Sequence, residues 1–182
     1  ACTGSSTHSL QVIQYLVEQH PKSARESSYY GSSPLHLLLY EASHDVFEIA
    51  RFLMDLHPES VTLLDSDDCT PLHMFLHVGS NRGYQDLRTL RLIVNAYPDA
   101  LAMVNSCGRT PLHLLCHVEN DYVSVDILRY FLKYKYCRQI LESDSGNMPI
   151  LHMICSRSND NKHENLTDLV QTLAISKTSV QV

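Results

Sequence analysis

One short pattern recurs along this chain at nearly even spacing. SSPLHLLLY begins at Ser32, CTPLHMFLH at Cys69 and RTPLHLLCH at Arg109, and NMPILHMICS at Asn147 is a looser fourth copy. The shared histidines are His36, His73, His113 and His152, spaced 37, 40 and 39 residues apart. A period of this size signals a stack of small units, each unable to bury its apolar face alone, so the core must form between neighbours. A second landmark sharpens the unit. Pro21, Pro58 and Pro98 each stand 15 residues before the histidine of the next motif. From histidine forward to the next proline the interval is 22 residues for His36 to Pro58 and 25 for His73 to Pro98, so the length variation lies there.

The variable interval carries an amphipathic helix. Ile49, Phe52, Leu53 and Leu56 in one unit, and Leu90, Ile93, Val94 and Tyr97 in the next, follow the spacing of one buried helical face. The same stripe appears as Ile13, Leu16 and Val17 near the start and as Leu166, Leu169, Val170 and Leu173 near the end. Each unit therefore reads as helix, loop, helix. Proline closes the second helix, because the residue before a proline is pushed out of helical geometry. The rigid intervals PESVTLLDSDDCTPLH and PDALAMVNSCGRTPLH place turn-forming residues just before a Thr-Pro. There Thr70 and Thr110 are suited to cap a helix, and Pro71 and Pro111 sit where a missing amide proton costs nothing. A fold built mainly on strands does not fit this periodicity.

The TPLH motif, the turn Asn105-Ser106-Cys107-Gly108 and two helices per unit resemble the ankyrin repeat. The resemblance implies an all-α, ankyrin-repeat-like helical solenoid with short turn or hairpin fingers. It implies a single domain over residues 1–182: a partial repeat 1–27, then repeats at about 28–64, 65–104, 105–143 and 144–182. An ordinary repeat of this kind has about 33 residues. The surplus here falls between the paired helices, and SNRGYQD (Ser80 to Asp86) is one such enlarged loop. The last unit departs from the pattern: Pro149 stands three residues before His152, and Cys137 replaces the expected proline.

Composition excludes several classes. With 182 residues, 44% hydrophobic and 19% charged, the chain is too apolar for disorder. A net charge of −6 argues against nucleic acid as a partner, since a phosphate backbone needs clustered Lys and Arg. No apolar run approaches the roughly 18 residues of a bilayer crossing. The opening ACTGSSTHS lacks the segments of a signal peptide, although a first residue other than Met points to a processed chain or a piece of a longer one. The cysteines Cys2, Cys69, Cys107, Cys116, Cys137 and Cys155 are scattered and read as reduced thiols. The expectation is an intracellular protein, cytoplasmic or nuclear, with no membrane partner; the triplet Asn165-Leu166-Thr167 would matter only in a secreted chain.

The histidines admit two readings. A metal site needs His73 with His77, or His113 with Cys116 and His117, to converge on one tetrahedral ion. The resemblance implies instead that His36, His73, His113 and His152 tie the start of each inner helix to neighbouring backbone. Cys116 and Cys155 then act as small apolar groups, and no Cys-His pair comes with an orienting third group. The expectation is no catalytic residue, no metal and no cofactor. By the same resemblance, positions four and five after each motif histidine face outward from a concave surface: Tyr40, Glu41, His77, Val78, His117, Val118, Ser156 and Arg157. The turn tips add Tyr29, Tyr30, Asp67 and Arg109, beside Ser66, Asp68, Ser106 and Cys107. The expected role is a monomeric protein–protein interaction module or scaffold, its partner another protein. The competing roles are a small metal-binding or enzymatic protein using the His and Cys positions, and a structural spacer in a larger chain.

Overall fold

A computed structural model of the chain describes residues 6–41, 45–78, 86–116 and 124–135 and the single positions 137, 150, 153, 168, 171 and 172. Among them the regular structure is helical throughout: α1 (Ser6–Gln19), α2 (Pro34–Glu41), α3 (Val46–Leu56), α4 (Pro71–Val78), α5 (Leu87–Ala96), α6 (Pro111–Leu115) and α7 (Val125–Phe131). The helices form two layers. In the inner one α2 packs on α4 and α4 on α6; in the outer one α1 meets α3, α3 meets α5 and α5 meets α7. The pairs α2 with α3 and α4 with α5 join the layers. This is the helical solenoid expected from the motif, with α1 in the position of an outer helix.

The prolines do more than end helices. His20, Tyr97 and His57 each close the preceding helix with a backbone N–H to a carbonyl four residues back, at 2.9 Å in all three cases. Their φ lies between −135° and −143° and their ψ between 75° and 82°, outside the helical region, as a residue before proline should be. Proline, with its fixed φ and no donor to lose, then opens a 3₁₀ turn: Pro21–Ala24, Pro58–Thr62 and Pro98–Leu101. These turns bury Ala24, Ser60, Val61, Ala100 and Leu101 beneath the helices.

The core runs between the layers and along the stack. Leu72, Phe75 and Leu76 of α4, Leu90, Ile93 and Val94 of α5, Leu112 and Leu115 of α6, and Ile127, Leu128 and Phe131 of α7 are all fully buried. Each such side chain stabilises the fold by roughly 1.5–3 kcal/mol relative to exposure. Cys137, Ile150 and Met153 are buried as well. Asp86 caps α5, its carboxylate accepting from the backbone N–H of Arg88 at 3.0 Å and of Thr89 at 3.3 Å. Residues 80–85, the rest of the expected enlarged loop, lie outside the described residues.

At the N-terminal edge the expected stripe is only partly covered. Val17 is buried and Ile13 half-buried, but Leu16 is 53% exposed, in company with Val12 and Tyr15. The stripe of α5 is covered by an inner helix and by outer neighbours, and that of α3 is buried at Ile49 and Leu53 although Leu56 at its end is exposed, whereas α1 has no paired inner helix among the described residues. An apolar groove of about 420 Å³ is left beside it, lined by Ile13, Leu16, Val17, Leu37, Leu38 and Ile49 among others.

Candidate functional site

Each of the described motif histidines, His36, His73 and His113, is the centre of a small buried node. In the second unit the backbone N–H of Thr70 donates to His73 Nδ1 at 3.1 Å, the Thr70 hydroxyl lies 2.8 Å from the same nitrogen, and the backbone N–H of His73 returns to Thr70 Oγ1 at 3.3 Å. Ser33 and His36 repeat this at 3.2, 2.8 and 3.4 Å. Thr110 and His113 form the same reciprocal capping box, with the Thr110 backbone N–H 3.2 Å from Nδ1. Histidine here does the work usually given to Glu or Gln at the third helical position.

Because Nδ1 accepts from a backbone N–H, the remaining ring proton belongs on Nε2, and Nε2 reaches into the next unit. His36 Nε2 donates to the Cys69 carbonyl at 3.0 Å and His73 Nε2 to the Arg109 carbonyl at 3.1 Å. Both nitrogens are thus committed, and the rings must be neutral. Burial, the largest cause, lowers the pKa of His36, His73 and His113 below 6.5, and pushes that of His73 to about 4.

The carbonyls they reach are the bases of the fingers. Cys69 O also accepts from Asp65 N at 3.1 Å, and Arg109 O from Asn105 N at 3.0 Å. Within each finger a side chain braces the turn. Asp65 Oδ1 accepts from the backbone of Asp67 and Cys69, both at 2.9 Å, and Asn105 Oδ1 from Cys107 at 3.1 Å and Arg109 at 2.9 Å. The position five before each of His36, His73 and His113 has positive φ: Gly31 (72°), Asp68 (56°) and Gly108 (69°). Adjacent fingers are then tied edge to edge, Ser66 N to Tyr30 O and Ser106 N to Asp67 O, each at 2.9 Å.

The far ends of the inner helices look different. Tyr40 and Glu41 are exposed in the last turn of α2, and His77 is exposed in the last turn of α4. Val78 is the final residue of α4; its side chain lies outside the described residues, as do His117, Val118, Ser156 and Arg157. At the fingers Tyr29 is 97% exposed, its ring edge-on to that of Tyr30 at 5.3 Å. Asp67 is exposed and Arg109 half-buried. Arg109 therefore serves the scaffold through its backbone as well as presenting its side chain. The structure aligns Tyr40, Glu41 and His77 on neighbouring inner helices and sets Tyr29, Tyr30 and Asp67 on neighbouring fingers.

His73 and His77 do not converge: the first is buried with both nitrogens engaged, the second is on the surface. Among the described residues no group of three His, Cys, Asp or Glu side chains is placed to hold a metal ion. Cys69, Cys107, Cys116 and Cys137 are in no disulfide, and all but Cys107 are buried. Burial pushes the pKa of Cys69 up to about 11 and that of Cys137 up to about 12, so neither supplies a thiolate nucleophile at neutral pH.

Two layers of short helices, linked unit to unit by histidine and finger hydrogen bonds, define a helical repeat solenoid with an exposed edge of fingers and inner-helix ends. The family model for the ankyrin repeat matches residues 107–140, the stretch that holds the third finger, α6 and α7. The motif and helix pairing of that repeat recur in the two units before it. No curated protein matches the chain. The ankyrin repeat is in general a protein–protein interaction module, and its family is in general non-enzymatic. No described helix is long and apolar enough to cross a membrane.

Proposed function

We propose that the chain binds another protein through the concave face of its inner helices and the tips of its fingers, acting as one monomeric domain over residues 1–182. The observation that carries this reading is the division of labour along α4. His73 is buried and spent on the scaffold, while His77, one turn later, is exposed beside Tyr40 and Glu41 of α2. Aromatic and imidazole groups on adjacent rigid helices suit a broad contact with a protein better than a closed pocket. The surface comprises Tyr40, Glu41, His77, Val78, His117, Val118, Ser156 and Arg157, with Tyr29, Tyr30, Asp67 and Arg109 at the fingers. The partner is a protein rather than nucleic acid, consistent with a net charge of −6. The setting is intracellular, cytoplasmic or nuclear, which the reduced state of the described cysteines supports.

The test compares partner capture by the wild-type chain with capture by a Tyr40→Ala, Glu41→Ala, His77→Ala triple variant whose melting temperature is checked in parallel. Loss of capture with folding intact supports the reading. Undiminished capture, or a spacer's failure to capture anything, counts against it.

A further inference from the structure

On the outer layer the local charge opposes that of the chain. Helix α5 and residues 125–135 carry Arg88, Arg91, Arg129, Lys133 and Lys135 against a single acidic residue, Asp126, in a chain of net charge −6. All five cations are exposed. Among the described residues three carboxylates approach this face, and each is occupied. Glu48 holds Arg51 at 2.9 Å and Arg88 at 3.8 Å, while Arg88 also lies 4.1 Å from the centre of the Phe47 ring. Asp126 lies 3.7 Å from Arg129. Asp86 is taken up by the start of α5.

Arg91 and Lys133 are different. Among the described residues neither has a carboxylate within ion-pair distance, and both flank one ring, that of Tyr130, at 5.9 and 5.7 Å from its centre. Attraction to the ring quadrupole holds two unneutralised charges near one spot. The ring brings a donor as well. The hydroxyls of Tyr130 and Tyr134 are 3.0 Å apart, with the rings edge-on at 5.7 Å. One phenolic proton is used between them, which leaves the other for an outside acceptor. Burial and the neighbouring phenol push the Tyr130 pKa up to about 12, so the Tyr130 hydroxyl keeps its proton at neutral pH.

We propose that this cluster, Arg91 and Lys133 around the Tyr130–Tyr134 pair, docks an acidic segment of a partner protein. Its carboxylates settle between the two cations and accept the spare phenolic hydrogen bond, a charge-assisted contact. The charge pattern favours a short segment over an extended polyanion. Beyond a Debye length of about 8 Å exposed charges are largely screened, so an eight-residue acidic peptide senses the local cations, whereas a long duplex or a charged bilayer also meets the acidic remainder of the molecule. The cluster lies on the layer opposite the inner-helix ends and does not depend on their role.

The experiment titrates the full chain into a fluorescein-labelled octapeptide of alternating Glu and Ser and follows fluorescence anisotropy. Saturable binding at 50 mM salt is expected, weakening several-fold at 200 mM, with no binding of a Lys-Ser octapeptide. Arg91→Glu with Lys133→Glu should reduce affinity about tenfold or more, and Arg91→Gln with Lys133→Gln by a smaller factor. Tyr134→Phe should cost about two- to fivefold, and Tyr40→Ala with His77→Ala should change nothing. All the altered side chains but Tyr134 are exposed, and matching melting curves guard against misfolding. Absence of acidic-peptide binding, binding indifferent to the charge reversals, loss in the Tyr40/His77 variant, or tighter binding to phosphatidylserine vesicles through the same residues would each overturn the proposal.

Discussion

His73 and His77 sit four residues apart on one short helix and live in opposite environments. At the start of α4, His73 has its Nδ1 on Thr70 and its Nε2 on the Arg109 carbonyl of the next unit, and is wholly buried. At the end, His77 is exposed. The same contrast holds in α2 between His36 and Tyr40. The start of an inner helix is bound by the geometry of stacking, because its side chains must meet both the finger of their own unit and that of the next. The end meets no such demand. Residue type alone therefore says little about role in a repeat protein; position within the unit says most of it.

The largest effect should come from the bound end. Leu72 precedes His73 and is fully buried among α2, α5 and α6 partners in one core, so Leu72→Ala should cost roughly 2–5 kcal/mol. A chemical denaturation midpoint is the readout, with Leu37→Ala, at the exposed end-face of α2, as the contrasting substitution of under about 1 kcal/mol. Equal costs for the two leucines would erase the distinction between sealed and open positions.

Acid should attack the same end. The folded chain holds His73 at a pKa of about 4, whereas the unfolded ring titrates near 6.5. Between those values the unfolded chain binds a proton that the folded chain refuses. The stabilisation is therefore complete above about pH 6.5 and is lost as the pH falls from there through about 4, amounting to roughly 3 kcal/mol for His73 alone. His36 and His113, also lowered by burial, add in the same direction. Melting temperature followed from pH 7.5 to 4.5 should fall steeply, and His73→Gln should flatten that fall. A slope that His73→Gln leaves unchanged would place the acid sensitivity elsewhere in the chain.

Much of this was legible from spacing. The even period and the fixed proline interval place His36, His73 and His113 at equivalent positions, and the Thr-Pro pairs mark α4 and α6 to the residue. What spacing does not carry is anything supplied by backbone or by distant neighbours. The carbonyls of Cys69 and Arg109, which complete two of the nodes, are features of chain path rather than residue type. The 3₁₀ turns after the prolines exist because a helix above needs covering, which the local signal for a helix end does not convey. Leu16 obeys its helical stripe yet stays exposed, since periodicity reports which face is apolar and not whether a cover is present. The cluster of Arg91, Lys133 and Tyr130 joins residues about 40 apart. Its trace in the sequence is the absence of acidic residues from α5, visible only once α7 is known to lie beside it.

Smaller effects should appear at the fingers. Gly31 and Asp68 occupy the same turn position at positive φ. A Cβ on Gly31 would come within 3.3 Å of the Ser66 backbone nitrogen, the donor in the bond to Tyr30 O. Gly31→Ala should therefore destabilise by about 1–2 kcal/mol. Asp68→Gly relieves an L-residue from the left-handed region, but glycine also gains entropy in the unfolded chain. The net expected change is a stabilisation below about 1 kcal/mol in a thermal melt. A destabilising Asp68→Gly would mean that the Asp68 side chain holds the finger in a way its backbone geometry does not reveal.

The smallest effect on stability should fall at His77, and it tests the contrast most directly. With the ring exposed at the end of α4, His77→Ala removes little buried area and should shift stability by no more than about 0.5 kcal/mol. His73→Ala leaves the buried Thr70 N–H without its acceptor and removes one of the two donors to the Arg109 carbonyl, which keeps the Asn105 N–H, and an unpaired buried donor costs about 1–3 kcal/mol. Partner capture should rank the two variants in reverse once each is measured well below its own melting temperature: His77→Ala weakened, His73→Ala near wild type. If both lose capture in proportion to their loss of stability, the exposed end contributes only through folding, and the inner-helix face ceases to be the surface that recognises a partner.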